Sequence, residues 1–361
     1  MTQRLSSSKL QPGEVWPDEN GVAINAHGGG ILFHDDRFYW FGEHKVEGTL
    51  GNTAQVGVHC YSSTDLVHWA DEGIALAVSD DPQSDITRGC ILERPKVLFH
   101  SGTRTFVMWF HLELIGQRYR SARSGVAVSD SPTGPYRFVE SFRPNAGVWP
   151  ENLPAERQRP LSAEEKALLE DASAGGPIPP AVEELRLRDH FAGGQMARDM
   201  TVFKDEDGLA YHIYASEGNG TLHVSQLSDD YRRPRGRFIR ILPGRYHEAP
   251  AMFKRNGVYF MITSGCTGWA PNAARLLRAE SIWGPWIELP NPCDGSPEQV
   301  ETTFQAQSTH VLQLQNGQDF FMADRWAPEN AIDGRYVWLP IEWVGDLPVI
   351  RWRESWVPAL G

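Results

Sequence analysis

Tyr246-His247-Glu248-Ala249-Pro250-Ala251-Met252-Phe253 is the stretch from which both the fold and the chemistry can be worked out. It places one carboxylate, Glu248, among small and apolar residues at the start of an apolar strand. A Lys254-Arg255-Asn256-Gly257 turn follows, and Asn-Gly is a strong hairpin signal. Pro250 suits the first residue of a strand, where a missing N–H is tolerated. The stretch predicts a β-hairpin with Glu248 at its open end.

The surroundings of Glu248 also predict its protonation. A carboxyl group among apolar residues has its charged form disfavoured, so we expect the pKa of Glu248 to be raised. A general acid that works near neutral pH needs such a pKa. A capping or salt-bridged glutamate at a strand end would give the same local pattern. The rest of the chain has to distinguish the two.

A unit consisting of an apolar strand, a polar turn and an aromatic-rich strand occurs five times. The copies lie at 28–43, 97–109, 201–214, 251–263 and 310–323. A second, outer pair of strands follows each copy, and the outermost strand of the first unit is predicted at His68-Trp69. The repeat predicts an all-β fold, a five-bladed β-propeller with four antiparallel strands per blade, as one domain over 1–361. A large β-sandwich would explain the strands but not their repeated order.

The segment Arg143 to Ala197 interrupts the repeat between the second and third blades. Ser162-Ala163-Glu164-Glu165 is a capping-box start, which predicts a short helix there. Pro177, Pro179 and Pro180 end it. An insertion of this length is either functional, such as a flap at the mouth of a site, or a surface decoration.

Composition excludes several classes of function. The chain has 361 residues and a net charge of −12, with no basic run, so nucleic acid is not an expected partner. No apolar stretch reaches the roughly 18 residues that a membrane span needs. The start lacks the apolar segment of a signal peptide, so we expect a cytoplasmic protein, or a secreted one whose export signal was removed.

Cofactor and metal motifs are also missing from the sequence. There is no phosphate loop, dinucleotide fingerprint or zinc-ligand spacing, so no cofactor is predicted, and nothing indicates an ion such as calcium on the axis. The four cysteines, at 60, 90, 266 and 293, are interpreted as mostly buried thiols in a reducing compartment. A disulfide between Cys266 and Cys293 remains open.

Candidate site residues were sought just ahead of each inner strand, because inner strands line the axis of a propeller. These positions read Asn25-Ala26-His27, Glu93-Arg94-Pro95, Arg198-Asp199-Met200, His247-Glu248-Ala249 and Gln305-Ala306-Gln307-Ser308. Three carboxylates that converge on an axis repel one another and raise at least one pKa. Two carboxyl groups flanking a sugar are what glycoside hydrolysis requires.

Tryptophans near these positions add to the case for a sugar, since sugar C–H faces pack on aromatic rings. For Trp40, Trp109, Trp326 and Trp338 we favour core packing. Trp269 is the exception because it lies in the loop-like Ser264-Gly265-Cys266-Thr267-Gly268-Trp269.

These motifs, together with Asn25-Ala26-His27-Gly28-Gly29-Gly30 and Gln307-Ser308-Thr309, resemble glycoside hydrolase family 43, and most closely its exo-β-1,3-galactanase branch. The resemblance covers nearly the whole chain. It implies a five-bladed propeller and an inverting mechanism with an acid, a base and a carboxylate that tunes the acid.

Carried over, the resemblance makes Glu248 the general acid and Asp199 the tuning residue. Most of the family has an aspartate base ahead of the first inner strand, whereas this chain has none there. The galactanase branch shares this departure, and there a residue equivalent to Gln307 holds the attacking water near a glutamate equivalent to Glu93. An amide is a very poor base, so Glu93 is the alternative base. Residues expected to bind the sugar are Glu43, Thr267, Trp269, His27 and Asn25.

The resemblance therefore predicts an exo-acting, inverting glycosidase that releases terminal galactose from β-1,3-linked galactan or galacto-oligosaccharides. One alternative is the same scaffold acting on another terminal sugar, such as arabinofuranose or galactofuranose, because fold does not fix substrate. Another is a non-catalytic sugar-binding propeller. The missing first-blade aspartate favours that reading, whereas Glu248, Asp199 and Glu93 oppose it.

Overall fold

The computed structural model of the protein describes residues 9–360. Its strands form five antiparallel sheets, and the inner strand of each sheet contacts the inner strands of both neighbouring sheets, which closes a ring. The predicted five-bladed propeller with four antiparallel strands per blade is confirmed.

The strands of the first two blades, from the axis outward, are β1 (His27–His34), β2 (Arg37–His44), β3 (Gly57–Ser63) and β4 (Ala70–Ala77), then β5 (Ile91–His100), β6 (Thr105–Glu113), β7 (Arg123–Ser129) and β8 (Arg137–Phe142). Those of the third and fourth are β9 (Met200–Lys204), β10 (Ala210–Ser216), β11 (Thr221–Leu227) and β12 (Pro234–Ile241), then β13 (Glu248–Arg255), β14 (Val258–Ser264), β15 (Arg275–Ala279) and β16 (Ile287–Leu289). The fifth blade contains β18 (Gln307–Gln313), β19 (Asp319–Arg325), β20 (Arg335–Val344) and β21 (Leu347–Arg351), with β17 (Cys293–Asp294) added in parallel outside β21.

The helices are few. They are α1 (Ala163–Ser173), α2 (Val182–Asp189) and α3 (Pro297–Glu301), with short 3₁₀ segments at Thr49–Asn52, Arg118–Arg120, Ala155–Arg157 and Ala331–Asp333. Among the described residues no helix is both long and apolar enough to cross a lipid bilayer.

The inner strands share a local irregularity at the end of the axis where the candidate residues lie. The register shifts just after the start of β1, β5, β13 and β18, between His27 and Gly30, Glu93 and Lys96, Glu248 and Ala251, and Ser308 and His310. Such a bulge bends a strand and re-aims its side chains. Pro250 therefore lies inside a bulge, and β13 begins before it, at Glu248. The prediction that Pro250 is the first residue of its strand is wrong. Ala249 beside it has a φ of 53°.

The N-terminal segment closes the ring between the last blade and the first. Leu10 pairs with Trp356, and the amide of Gly13 donates to the carbonyl of Tyr336 at 2.7 Å. Trp16 packs edge-on against Trp338, with ring centroids 5.0 Å apart. This aromatic cluster joins the two blades without a strand exchanged between them.

Three sequence predictions of local structure have clear outcomes. The helix beginning after Ser162 is confirmed, with both hydrogen bonds of the capping box, whereas α2 was not predicted. The outermost strand of the first blade is β4, two residues beyond the predicted His68-Trp69. All four cysteines are free thiols, so Cys266 and Cys293 form no disulfide, and of the four only Cys266 is exposed.

The insertion at 143–197 packs on the outside of the third blade. The amide of Glu151 donates to the carbonyl of Phe238 at 2.9 Å, and Asn152 bonds both backbone groups of Arg240. From α2, Arg186 donates to the carbonyl of Glu217 at 3.2 Å. The insertion therefore lies against β12 and against the turn between β10 and β11.

A substitution at Gly42 tests how tightly the backbone packs at the end of the axis where the candidate residues lie. A Cβ at Gly42 would lie 2.0 Å from the carbonyl carbon of Ala26, so we expect Gly42→Ala to lower the free energy of unfolding by about 1–3 kcal/mol, as overpacking does. Urea denaturation measures this. Gly193 is the matched control, because nothing lies within 4 Å of its added Cβ. Equal stability of the Gly42→Ala and Gly193→Ala variants would contradict the packing described.

Candidate active site

A cavity of about 310 Å³ opens at the bulged end of the inner strands, and every blade contributes to it. Its central polar residues are Glu43 from the first blade, Glu93 and Arg94 from the second, Asp199 from the third, Glu248 from the fourth and Gln307 from the fifth. The structure thus brings the four predicted catalytic positions together, although they are up to 214 residues apart in sequence.

Arg94 connects the groups at the floor of this cavity. Its Nη2 lies 2.9 Å from the Asp199 carboxylate and 2.7 Å from Oε1 of Gln307, and its Nη1 donates to the carbonyl of Ser308 at 3.0 Å. Its own amide donates to Glu43 at 3.0 Å. Arg94 is only 5% exposed. Through its guanidinium and its backbone amide, Arg94 therefore joins four of the five blades.

Glu248 has the raised pKa that its sequence context predicts. It is the first residue of β13 and is half-buried. Burial, and then the negative charge of Asp199, raise the pKa of Glu248 to about 7 against the opposing charge of Arg94. Asp199 is held beside it by Arg94 and by the amide of Ala249, at 3.0 Å. At neutral pH a substantial fraction of Glu248 carries a proton, as a general acid requires.

Asn219 fixes the orientation of Glu248. Its Nδ2 donates to Oε1 of Glu248 at 2.6 Å. It lies in the turn between β10 and β11, where Glu217, Gly218 and Asn219 all have positive φ, of 55°, 72° and 67°. The carboxylate of Glu217 is fully buried and accepts from Arg240 at 2.7 and 2.6 Å and from Thr221 at 2.8 Å. This buried ion pair holds a backbone conformation that is unfavourable for non-glycine residues.

The pKa of Glu93 is lowered, in contrast to that of Glu248. Burial alone would raise its pKa, but the hydrogen bond and charge of His111, the charge of Lys45 and the hydroxyl of Tyr119 outweigh burial and lower the pKa to about 2. His111 lies 3.0 Å from both Glu93 and the fully buried Glu113. Burial would lower the pKa of His111, but these two carboxylates raise it to about 9. Glu93 is therefore ionised beside an imidazolium.

The side-chain amide of Gln307 is held at both ends. Oε1 accepts from Arg94 at 2.7 Å and from Nε1 of Trp326 at 2.9 Å, while Nε2 donates to Ser264 at 2.9 Å. A carbonyl oxygen has two lone pairs, so both are used. The second N–H of Nε2 is left to bond a water or a sugar hydroxyl. It can donate a hydrogen bond, but it cannot take up a proton.

An ion pair and two tryptophan rings form further parts of the cavity wall. Lys45 and Glu43 lie 2.6 Å apart and both line the cavity. Trp269 and Trp326 meet edge to face with centroids 5.8 Å apart, and Trp269 is 40% exposed at the mouth. Two of the residues predicted to bind the sugar, Trp269 and Glu43, thus line the cavity. Trp326 does so as well, although we had assigned it to the core.

Three predicted sugar-binding residues lie outside the cavity lining. His27 is buried, stacked on Tyr336 at 5.1 Å and 3.4 Å from Asp324. Asn25 makes two hydrogen bonds of 2.8 Å with the backbone of Lys45, so it positions the backbone that carries Lys45. The hydroxyl of Thr267 donates to the carbonyl of Ala270 at 2.6 Å. Their sequence positions were adjacent to the site, but the bulge in β1 and the loop before Trp269 turn their side chains elsewhere.

Several cavity residues were missed from sequence: Lys45, Arg94, His111, Tyr119, Arg198 and Asn219. Two of them stood in the quoted motifs, Arg94 in Glu93-Arg94-Pro95 and Arg198 in Arg198-Asp199-Met200. His111 is the cross-strand partner of Glu93 only because the bulge shifts the β5–β6 register. Without the bulge Leu112 would face Glu93, so the hairpin pattern alone gives the wrong partner.

A cation does not fit the carboxylate cluster. Glu93, His111 and Asp199 each offer an atom within 4.8 Å of the others. Metal binding requires neutral histidine, whereas both nitrogens of His111 face carboxylates and its pKa is raised. Asp199 is already paired with Arg94. Below the floor, the side-chain amino group of Lys96 donates to the carbonyls of Gly28 and Arg94, at 3.0 and 3.4 Å, so it already fills the space beneath the cluster.

The interaction between Asp199 and Glu248 can be measured directly. Asp199→Asn removes the neighbouring negative charge, so we expect the pKa of Glu248 to fall below the wild-type value of about 7. Carboxyl ¹³C chemical shifts followed over a pH titration report it. Asp346→Asn, at an exposed position, is the control and should leave that pKa unchanged. An unaltered or raised pKa in Asp199→Asn would show that Asp199 does not tune the acid.

Comparison with known proteins agrees with this geometry. The model for glycosyl hydrolases family 43 matches residues 182–306. A solved family 43 β-1,3-galactosidase with galactodeoxynojirimycin is 49% identical, with a TM-score of 0.90, over 96% of this chain and 100% of that one. An exo-β-1,3-galactanase from Clostridium thermocellum is 32% identical, with a TM-score of 0.77, over 97% of this chain and 66% of that one.

Two further relatives match less closely. The Phanerochaete chrysosporium exo-β-1,3-galactanase with β-1,3-galactotriose is 29% identical, with a TM-score of 0.78, over 98% of this chain and 69% of that one. The curated β-D-galactofuranosidase of Aspergillus niger is 28% identical over 146 residues, which is 39% of this chain and 41% of that protein. The predicted resemblance is confirmed: this chain belongs to glycoside hydrolase family 43 and is an enzyme that hydrolyses oligosaccharides or polysaccharides.

Proposed function

We propose that the protein is an exo-acting, inverting glycoside hydrolase that releases terminal galactose from β-1,3-linked galactan or galacto-oligosaccharides. The observation that carries the proposal is the pairing in one cavity of a carboxyl group with a raised pKa, Glu248, and an ionised one, Glu93. Environments that push two carboxyl pKa values apart assign acid and base roles. The solved relatives named for β-1,3-galactosidase and exo-β-1,3-galactanase activity supply the sugar and the linkage.

The size of the cavity supports exo action. Its volume of about 310 Å³ is at the small end of ligand pockets, which span roughly 300–1,000 Å³. Its floor is closed by Arg94, Asp199 and Gln307. A chain that enters such a cavity ends there, so one terminal ring is held and the remainder of the chain stays outside.

In the proposed mechanism Glu248 gives its proton to the glycosidic oxygen as the bond to the terminal sugar breaks. Burial and the negative charge of Asp199 keep a substantial fraction of Glu248 protonated, and Asn219 holds Oε1 in place. A water on the opposite face attacks the anomeric carbon, and the N–H of Gln307 holds that water through its oxygen.

Glu93 accepts the proton of the water. Both lone pairs of the Gln307 oxygen are occupied, so the amide positions the water without deprotonating it. Each carboxylate oxygen of Glu93 keeps one lone pair free beside its bond to Tyr119 or His111. A pKa of about 2 makes Glu93 a weak base, which suits a reaction in which bond breaking to the leaving group leads.

The proposal is tested on β-1,3-galactobiose with Glu248→Gln, which keeps the shape of the acid and removes its proton. We expect kcat to fall by about 10²–10⁴-fold, the usual contribution of general acid catalysis. ¹H NMR during wild-type hydrolysis should show α-galactose first, since inversion of a β-linkage gives the α-anomer. Retention of most activity by Glu248→Gln, or β-galactose as the first product, would refute the mechanism.

The base is identified by chemical rescue. Glu93→Ala should lose activity by about 10²-fold or more, and azide should restore turnover by giving a galactosyl azide, because azide needs no deprotonation. Gln307→Ala should also lose activity, but it retains Glu93 and should gain little from azide. Rescue of Gln307→Ala and not of Glu93→Ala would reverse the two roles.

A second candidate substrate is galactofuranose, which the name of the Aspergillus niger relative favours. That match covers only 146 residues. Nitrophenyl β-galactofuranoside assayed beside β-1,3-galactobiose separates the two, and a higher kcat/KM for the furanoside would replace the proposal made here.

A further inference from the structure

A second cavity, the insertion cleft, lies between the inserted segment and the propeller and has a volume of about 630 Å³. Helix α1 turns one face to it, formed by Lys166, Leu169, Glu170 and Ser173, at the spacing that places residues on one side of a helix. The end of α2, the turn before β11, and Ala174, Met196 and Arg198 form the rest of its lining.

The insertion cleft adjoins the active-site cavity. Arg198 lines both cavities, and Gly218 lines the cleft while its neighbour Asn219 lines the active site. The guanidinium of Arg198 extends from the carbonyl of Tyr119 to Oδ1 of Asn219, the latter at 3.3 Å. Arg198 and the turn 217–220 thus form a boundary that both cavities share.

This boundary is on the side of the general acid. Asn219 donates to Glu248 at 2.6 Å, and Glu248 protonates the oxygen that joins the terminal sugar to the rest of the chain. The departing part of the substrate must therefore begin next to Glu248 and Asn219. The insertion cleft is the space that adjoins these two residues, on the side of Gly218.

The cleft also offers groups suited to sugar hydroxyls. Lys166, Glu170 and Ser173 on α1 and Asp189 at the end of α2 are exposed and line the cleft. Their ammonium, carboxylate and hydroxyl groups can donate to, or accept from, the hydroxyl groups of a saccharide.

We infer that the insertion cleft binds the leaving-group portion of the oligosaccharide, so that the insertion adds binding for sugars beyond the first one. This inference rests on the proposed function. No residue of 143–197 lines the active-site cavity itself. The inference therefore gives the inserted segment a role in the cleft beside that cavity.

The test compares kcat/KM for β-1,3-galactotetraose with that for β-1,3-galactobiose. Ser173→Trp fills the cleft from the exposed end of α1, and we expect the tetraose-to-biose ratio to fall roughly 3–10-fold, the value of one or two lost hydrogen bonds. Leu168→Trp is the matched control, since Leu168 is 51% exposed on the same helix and outside the cleft lining. It should leave the ratio unchanged.

Lys166→Ala is the second variant, because it removes a cleft group without adding bulk and should lower the same ratio by a smaller factor. Thermal unfolding of each variant verifies that the propeller is intact. An unchanged ratio in both well-folded variants would overturn the inference while leaving the proposed function standing. Release of no galactose by the wild type from either substrate would instead mean that the proposed function has failed.

Discussion

The ion pair between Arg94 and Asp199 is the interaction on which the site depends. The same guanidinium orients the amide of Gln307 and bonds the backbone at Ser308, so one buried cation, carried by the second blade, holds groups of the third and fifth blades. Removing one partner of a buried ion pair leaves an uncompensated charge, which is far more costly than losing a surface pair. Arg94 itself stays buried because carboxylates and carbonyls surround it, and these are supplied by the closing of the ring.

This arrangement gives two glutamates opposite properties in one small cavity. Glu93 is ionised because an imidazolium and a tyrosine hydroxyl bond it, and Glu248 is kept partly protonated because burial and the charge of Asp199 oppose its ionisation. The difference between the two pKa values comes entirely from neighbours, since the two side chains are chemically identical.

The turn that carries Asn219 extends this logic away from the axis. Three consecutive residues with positive φ are held by the buried pair of Glu217 and Arg240, and helix α2 of the insertion bonds the same turn through Arg186. The insertion is thus connected to Glu248, the proposed general acid, through this turn. A segment that the repeat alone would dismiss as decoration therefore supports the residue that orients Glu248.

The sequence by itself determined the five-fold repeat and placed Glu93, Asp199, Glu248 and Gln307 at equivalent positions, because strand alternation and turn residues are local signals. It also predicted the raised pKa of Glu248, since the apolar neighbours of Glu248 are visible in the sequence. Only the tertiary structure decided that Arg94 joins the blades, that His111 faces Glu93, and that Asn25 and His27 point away. The physical reason is that β-bulges shift side chains by one position and that buried charges choose partners from distant blades, and neither effect leaves a periodic trace in the chain.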